Sequence, residues 1–284
     1  IFGFGFTAAA VSMTNLVNSS GVVASDVTGV GTARALLAAV TYGFSKAIFG
    51  YGGNSSGKVS MTNLVNSSGV VASDTSGVGT ARGPLAAAAS YGGDKAIFGY
   101  GVTTSNVSLT NLVSNSGVVA ADVSGVGTAR QALSALGYGG DKAIFGYGTT
   151  GSRVSLTNLV NNSGVVAADV TGVGTARNEL AGASYGGDKG IFGYGTSGSG
   201  RVSITNLVSN LGVVATDTTG VGSARRFPSA ASYGGDKAIF GYGNTGSNTA
   251  ITNLVNNSGV VAADVTGVGT AREELAAAGF SLST

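Results

Sequence analysis

The sequence predicts an all-β chain of six four-stranded antiparallel blades, arranged with pseudo-six-fold symmetry as a β-propeller. Three observations carry this reading. A segment of about 47 residues recurs six times, each copy holds four short strand-like tracts, and the two chain ends supply complementary parts of one blade. The Asn of Thr-Asn-Leu-Val falls at Asn15, Asn63, Asn111, Asn158, Asn206 and Asn253. The Arg of Gly-Thr-Ala-Arg (Gly-Ser-Ala-Arg once) falls at Arg34, Arg82, Arg130, Arg177, Arg225 and Arg272, with the same spacing. A period of this length is the mark of a solenoid or a propeller.

In chain order, the first tract of a repeat is rich in Ala, Ser and Gly, as in Leu85–Tyr91. Small side chains suit the innermost strand, where six blades converge and space is scarcest. The second tract, Lys95–Gly101, reads Lys-Ala-Ile-Phe-Gly-Tyr-Gly. Strand alternation puts Phe98 and Tyr100 on one face and Ile97, Gly99 and Gly101 on the other, so the rings of one blade are expected to rest on the glycine floor of the next. The third tract is Val107–Val113 and the fourth Gly117–Val123, separated by turn formers such as Ser-Asn-Ser-Gly. The fourth carries one Asp per repeat (Asp26, Asp74, Asp122, Asp169, Asp217, Asp264), which suits an exposed edge that must not pair with other chains. The alanines of Leu85–Ala89 are too few to nucleate a helix.

The chain opens inside a second tract at Ile1 and closes on a first tract, Arg272–Phe280. The C-terminal strand is therefore expected to complete the N-terminal blade, sharing it between residues 1–31 and 272–284 of a single domain spanning 1–284. An open solenoid would instead want capping repeats. With Ile1 inside a repeat, the chain reads as a trimmed mature protein or a fragment.

Composition narrows the function classes. His and Cys are both absent, which removes the commonest general base, the commonest metal ligand, disulfides and thiolate sites. The net charge of +2 gives no field for nucleic acid. Mean hydropathy is positive, but Gly, Ser, Thr, Asn and Asp interrupt every apolar run before it reaches membrane-spanning length, so no membrane insertion is expected. Phe-Gly-Tyr-Gly lacks the following helix that a phosphate loop needs. The Asp residues come one per repeat, without the clustering of a calcium loop. No cofactor is implied, and the oligomeric state is left open.

The blade pattern Arg-x-x-Leu-Ala-Ala, Asp-Lys-Ala-Ile-Phe-Gly-Tyr-Gly, Val-x-x-Thr-Asn-Leu-Val, Gly-Val-Val resembles the Kelch-type blade along the whole chain. It departs from that pattern in having Gly-Tyr-Gly for the second glycine pair and no Trp. The Kelch family includes copper oxidases, whose His and Cys ligands this chain lacks. The near-identical repeats are also similar to those of virion or tail-associated proteins of aquatic bacteriophages. That resemblance implies a setting in a phage particle and a glycan or protein receptor as partner.

Positions that fail to repeat point to where a ligand would bind. One variable zone is the pair after each Arg: Ala35-Leu36, Gly83-Pro84, Gln131-Ala132, Asn178-Glu179, Arg226-Phe227 and Glu273-Glu274. The other is the loop between second and third tracts, such as Thr196–Arg201. Alternation of an antiparallel blade places both zones on one rim, around the channel mouth, where loops on a rigid scaffold carry binding. The charged half of this ring (Asn178, Glu179, Arg226, Phe227, Glu273, Glu274) is the candidate site. Phe227 would stack on a sugar or base, and the carboxylates would accept hydroxyl hydrogen bonds. The alternatives are a solvated rim on a purely structural or engineered scaffold, and a hydrolase using Glu179 with Glu273 or Glu274 as acid and base. A non-enzymatic binding role is the favoured expectation. The six Arg could ring an anion at the mouth. Matching counts of one Arg and one Asp per repeat favour a structural role, pairing with the fourth-tract Asp or inter-blade carbonyls. Asp94-Lys95 reads as a turn residue beside a solvated charge.

Overall fold

A computed structural model of the chain describes residues 1–83 and 87–280. Pro84, the first two residues of the Leu85–Tyr91 tract, and residues 281–284 of the closing segment lie outside the described residues. Among the described residues every regular element is a β-strand. Six three-stranded antiparallel sheets recur along the chain, with two small two-stranded hairpins, Gly53–Asn54 with Gly57–Lys58 and Thr196–Ser197 with Gly200–Arg201.

Each sheet has the order inner, middle, third strand. In the clearest copy, Ser134–Tyr138 pairs with Lys142–Gly146, which pairs with Thr157–Val160. The sheet joining the chain ends follows the same order. Ala276–Ala277 pairs with Phe2–Gly3, which pairs with Thr14–Asn15, and Ile1 and Ala278 exchange backbone hydrogen bonds. The inner strands neighbour one another in sequence: Ala38–Tyr42, Ala87–Tyr91, Ser134–Tyr138, Ala181–Tyr185, Ser229–Tyr233 and Ala276–Ala277. The last of these also lies beside the first.

The expected fourth strand is largely absent as a strand. Its segment meets the third strand at two isolated bridges, Val65↔Val71 and Thr62↔Thr75. These two pairings are out of step by one residue, so the outer segment bulges between them. The cause is the wholly buried Asn63. Its Nδ2 donates to the Ala72 carbonyl (3.0 Å) and to Asp74 Oδ1 (2.9 Å), taking the place of ladder bonds. The same two bonds recur at all six Asn positions.

The core is a series of separate clusters, each shared by two consecutive repeats. One joins Tyr91, Ile97 and Tyr100 to Leu133, Phe145 and Val160. Phe rings do sit on glycine floors. A Cβ on Gly146 would lie 2.8 Å from Phe192 Cζ, and the same seat pairs Gly3 with Phe49 and Gly241 with Phe2 across the chain ends. The two rings of one repeat, however, do not share a face. Phe98 rests against Gly50 and Tyr51 of the preceding repeat, whereas Tyr100 packs at a tilt of 59° against Phe145 of the following one, with centroids 5.0 Å apart. The alternation breaks because Tyr100 is left-handed (φ +62°), as are Tyr51, Tyr147, Tyr194, Tyr242 and Phe4 at the same position.

The six Arg (Arg34, Arg82, Arg130, Arg177, Arg225, Arg272) are fully buried between repeats, away from any solvent-filled mouth. Arg130 stacks on Tyr100 of the preceding repeat (4.5 Å). Its Nε donates to the Tyr147 carbonyl (2.8 Å), Nη1 to the Thr128 carbonyl (3.1 Å) and Nη2 to Asn158 Oδ1 (2.7 Å), and Nη1 lies 3.8 Å from Asp169. The Asp is thus no bare edge charge. Asp169 reaches back to the preceding Arg-bearing segment, accepting from the Thr128 N–H (3.0 Å) and hydroxyl (2.5 Å) as well as from Asn158 (2.9 Å). Such pairing offsets much of the cost of burying a guanidinium. Arg225, beside the one Ser variant Ser223, is less well served: its Nε and Nη2, and Asn253 Oδ1, have no hydrogen-bond partner.

Candidate functional site

The two variable zones meet directly. The first residue of each pair forms a bridge to the variable loop of its own repeat: Ala35↔Gly53, Gly83↔Val102, Gln131↔Thr149, Asn178↔Thr196, Arg226↔Asn244 and Glu273↔Phe6. The loops in turn hold each other. Arg153 Nε donates to Asn178 Oδ1 (3.1 Å), Arg201 Nη2 to Asn244 Oδ1 (3.0 Å), and Asn248 Nδ2 to the Phe6 carbonyl (3.1 Å). Lys58 likewise donates to the Thr103 carbonyl.

The second residue of the pair turns inward. Leu36, Ala132, Glu179, Phe227 and Glu274 all have φ between +50° and +60°. For residues with a Cβ this conformation costs about 1–2 kcal/mol each, and it recurs because it closes inter-repeat hydrogen bonds. The N–H groups of Leu36, Glu179 and Phe227 donate to the carbonyls of Glu274, Ala132 and Glu179, each at 2.9 Å. Shared by Leu36 and Ala132, the strain belongs to the scaffold, and the side chains it carries vary freely.

These inward side chains rim a cavity of about 110 Å³ whose deeper wall is the Ala and Leu of the inner strands. Of the six candidate residues it brings together Glu179, Phe227 and Glu274. Asn178, Arg226 and Glu273 stand one step outward. Sequence reasoning treated each pair as a unit, whereas the left-handed second residue sends the two side chains different ways.

The three carboxylates differ in their surroundings. Glu179 Oε2 accepts from the Thr196 hydroxyl (2.7 Å). Glu273 Oε1 accepts from Asn244 Nδ2 (3.2 Å), and its Oε2 lies 3.6 Å from Arg226 Nε, an ion contact too long to be a hydrogen bond. Arg226 also lies over the Phe227 ring at 5.3 Å. Glu274 has neither hydrogen bond nor ion pair among the described residues. Burial pushes its carboxyl up to about 7, helped by the negative charges of Glu273 and Glu179 and opposed by Arg226. Thr196 and Asn244 were missed in the sequence as individual site residues. Their signal was their place in the variable loops, opposite Asn178 and Arg226.

At the other end of the inner strands, a second cavity of about 90 Å³ is lined by repeated turn residues such as Tyr91, Gly93, Tyr138 and Lys142. There Lys142 pairs with its neighbour Asp141 at 2.8 Å. No protein-family model matches the chain, and no curated protein is significantly similar to it.

Proposed function

We propose that the chain is a six-bladed β-propeller, pseudo-six-fold and closed by its C-terminal strand, that binds a ligand through its variable rim without catalysing a reaction. Support for the ring comes from the neighbour relation between the last and first inner strands and from ring seats that repeat across the chain ends. The binding reading rests chiefly on one observation. The axial cavity is walled by repeated Ala and Leu, yet its rim carries Glu179, Phe227 and Glu274 on one half only. An aromatic face beside hydrogen-bond acceptors on interlocked loops fits a glycan or a protein receptor, the partner class suggested by the phage-like repeats.

A glycan array followed by Phe227→Ala tests this. Binding that falls at least tenfold in the variant supports the site, whereas a silent array and a variant unchanged in every assay favour a scaffold without a ligand. The regular Arg–Asp linkage between repeats is what favours that second reading. Hydrolytic turnover abolished by Glu179→Gln would overturn the non-enzymatic reading.

A further inference from the structure

We propose that the axial cavity takes a primary ammonium group, with Glu274 as its counter-ion and Phe227 as its wall. This rests on the binding role proposed above and names the chemistry of the ligand. Three features carry it: the size of the cavity, the state of Glu274, and the balance of charge around it.

A cavity of about 110 Å³ has room for a small group. Drug-sized ligands need about 300 Å³ or more, so the cavity is small for one. What enters is a projecting head group of a few atoms, while the body of the ligand stays on the loops outside. Below the rim the walls are Leu and Ala, which suit a short alkyl stem.

Glu179 and Glu273 already have protein donors, but the half-buried Glu274 has none. A half-buried carboxylate without a protein donor is incompletely satisfied, and a ligand N–H⁺ group would complete its hydrogen bonding. The charged groups around it are Glu273 beside it in sequence, Glu179, and Arg226. Of the charged side chains only Glu179 and Glu274 line the cavity itself, whereas Arg226, Arg153 and Arg201 stand on the pairs and loops outside it, so the cavity wall is negative and favours cations over anions. Among the described residues no three Asp, Glu, His or Cys side chains converge as a metal site does, so the chemistry points to an organic cation. Phe227 adds an aromatic wall of the kind that attracts ammonium groups.

The test is calorimetric titration with n-propylammonium, with neutral 1-propanol as control, followed by glucosamine and Nα-acetyl-lysine amide to distinguish a sugar-borne from a peptide-borne amine. Because Glu274 must be ionised, affinity is expected to fall about 30-fold from pH 8 to pH 5.5. Glu274→Gln is expected to abolish the binding and its pH dependence, and Glu274→Asp to retain part of both. Circular dichroism melts confirm that each variant folds. Propylammonium that fails to bind, binds equally at both pH values, or binds Glu274→Gln unchanged overturns the proposal. Neutral glycans that bind in a Phe227-dependent way while every amine fails would sink the ammonium assignment and leave the rim site standing. Failure of both sinks both.

Discussion

Replacing Asp169 by Ala removes the link between two repeats and leaves Arg130 buried without its nearest counter-charge. The carboxylate accepts three hydrogen bonds, from the Thr128 N–H, the Thr128 hydroxyl and Asn158, and lies 3.8 Å from Arg130 Nη1. Bonds to a charged acceptor reach about 1.5–3 kcal/mol when buried. The Asp169 side chain is 26% exposed, so about 1 kcal/mol each is the appropriate figure. Three bonds then give a loss of about 3 kcal/mol, and for a chain of this size about 2 °C per kcal/mol places the fall in Tm near 6 °C. The same residue predicts acid behaviour. Burial raises its carboxyl, but the Thr128 hydroxyl, Asn158, the Thr128 N–H and the Arg130 charge together bring it below the ordinary value. A carboxyl lowered on folding stabilises fully above its unfolded pKa of about 3.9 and loses that contribution as pH falls through the folded value. The other five repeat Asp residues shift in the same direction. The repeat Asp residues are therefore expected to add a loss of stability below about pH 4 in chemical denaturation, separate from the changes that Glu274 (raised to about 7) and the Ile1 amine (lowered to about 5) produce between pH 4 and pH 8. Asp169→Asn should make that loss shallower. An Asp169→Ala protein that melts within 1 °C of the parent would refute the argument.

Gly146→Ala places a methyl 2.8 Å from Phe192 Cζ and is expected to destabilise by about 1–3 kcal/mol in urea titration, with much of the loss recovered in Gly146→Ala/Phe192→Leu. Phe44 is 76% exposed at φ +66°, where the other repeats place a glycine such as Gly93. Phe44→Gly is therefore expected to raise stability by about 1 kcal/mol, measured as a higher urea midpoint at unchanged slope.

The repeat length, the small-residue inner strand and the sharing of one sheet by the two chain ends were legible because they are matters of spacing and size. Legibility failed where the backbone left its ordinary region. Period-2 alternation assumes negative φ, so it could not foresee that Tyr100 turns away from Phe98, nor that Glu179 and Asn178 diverge. The outer segment misled for another reason. Val119 and Val123 read as strand, but Asn111 binds the Ala120 carbonyl with its side chain and displaces the ladder. In the sequence Asn111 was merely the marker of the period; a buried Asn that serves three neighbours is visible only once they are assembled.

The Arg–Asp links also bear on how the chain finds its structure. Thr128 and Arg130 meet Asp169 in the same way that Thr270 and Arg272 meet Asp26 at the seam. These interfaces therefore carry little address, because five of the six Arg meet the Asp of the neighbouring repeat at nearly the same distance. Correct neighbours are favoured by tethering, since adjacent repeats are joined by the shortest closures. Refolding should then be slowed by mispaired repeats, bonded almost as well as the native neighbours, that must separate before the native order forms.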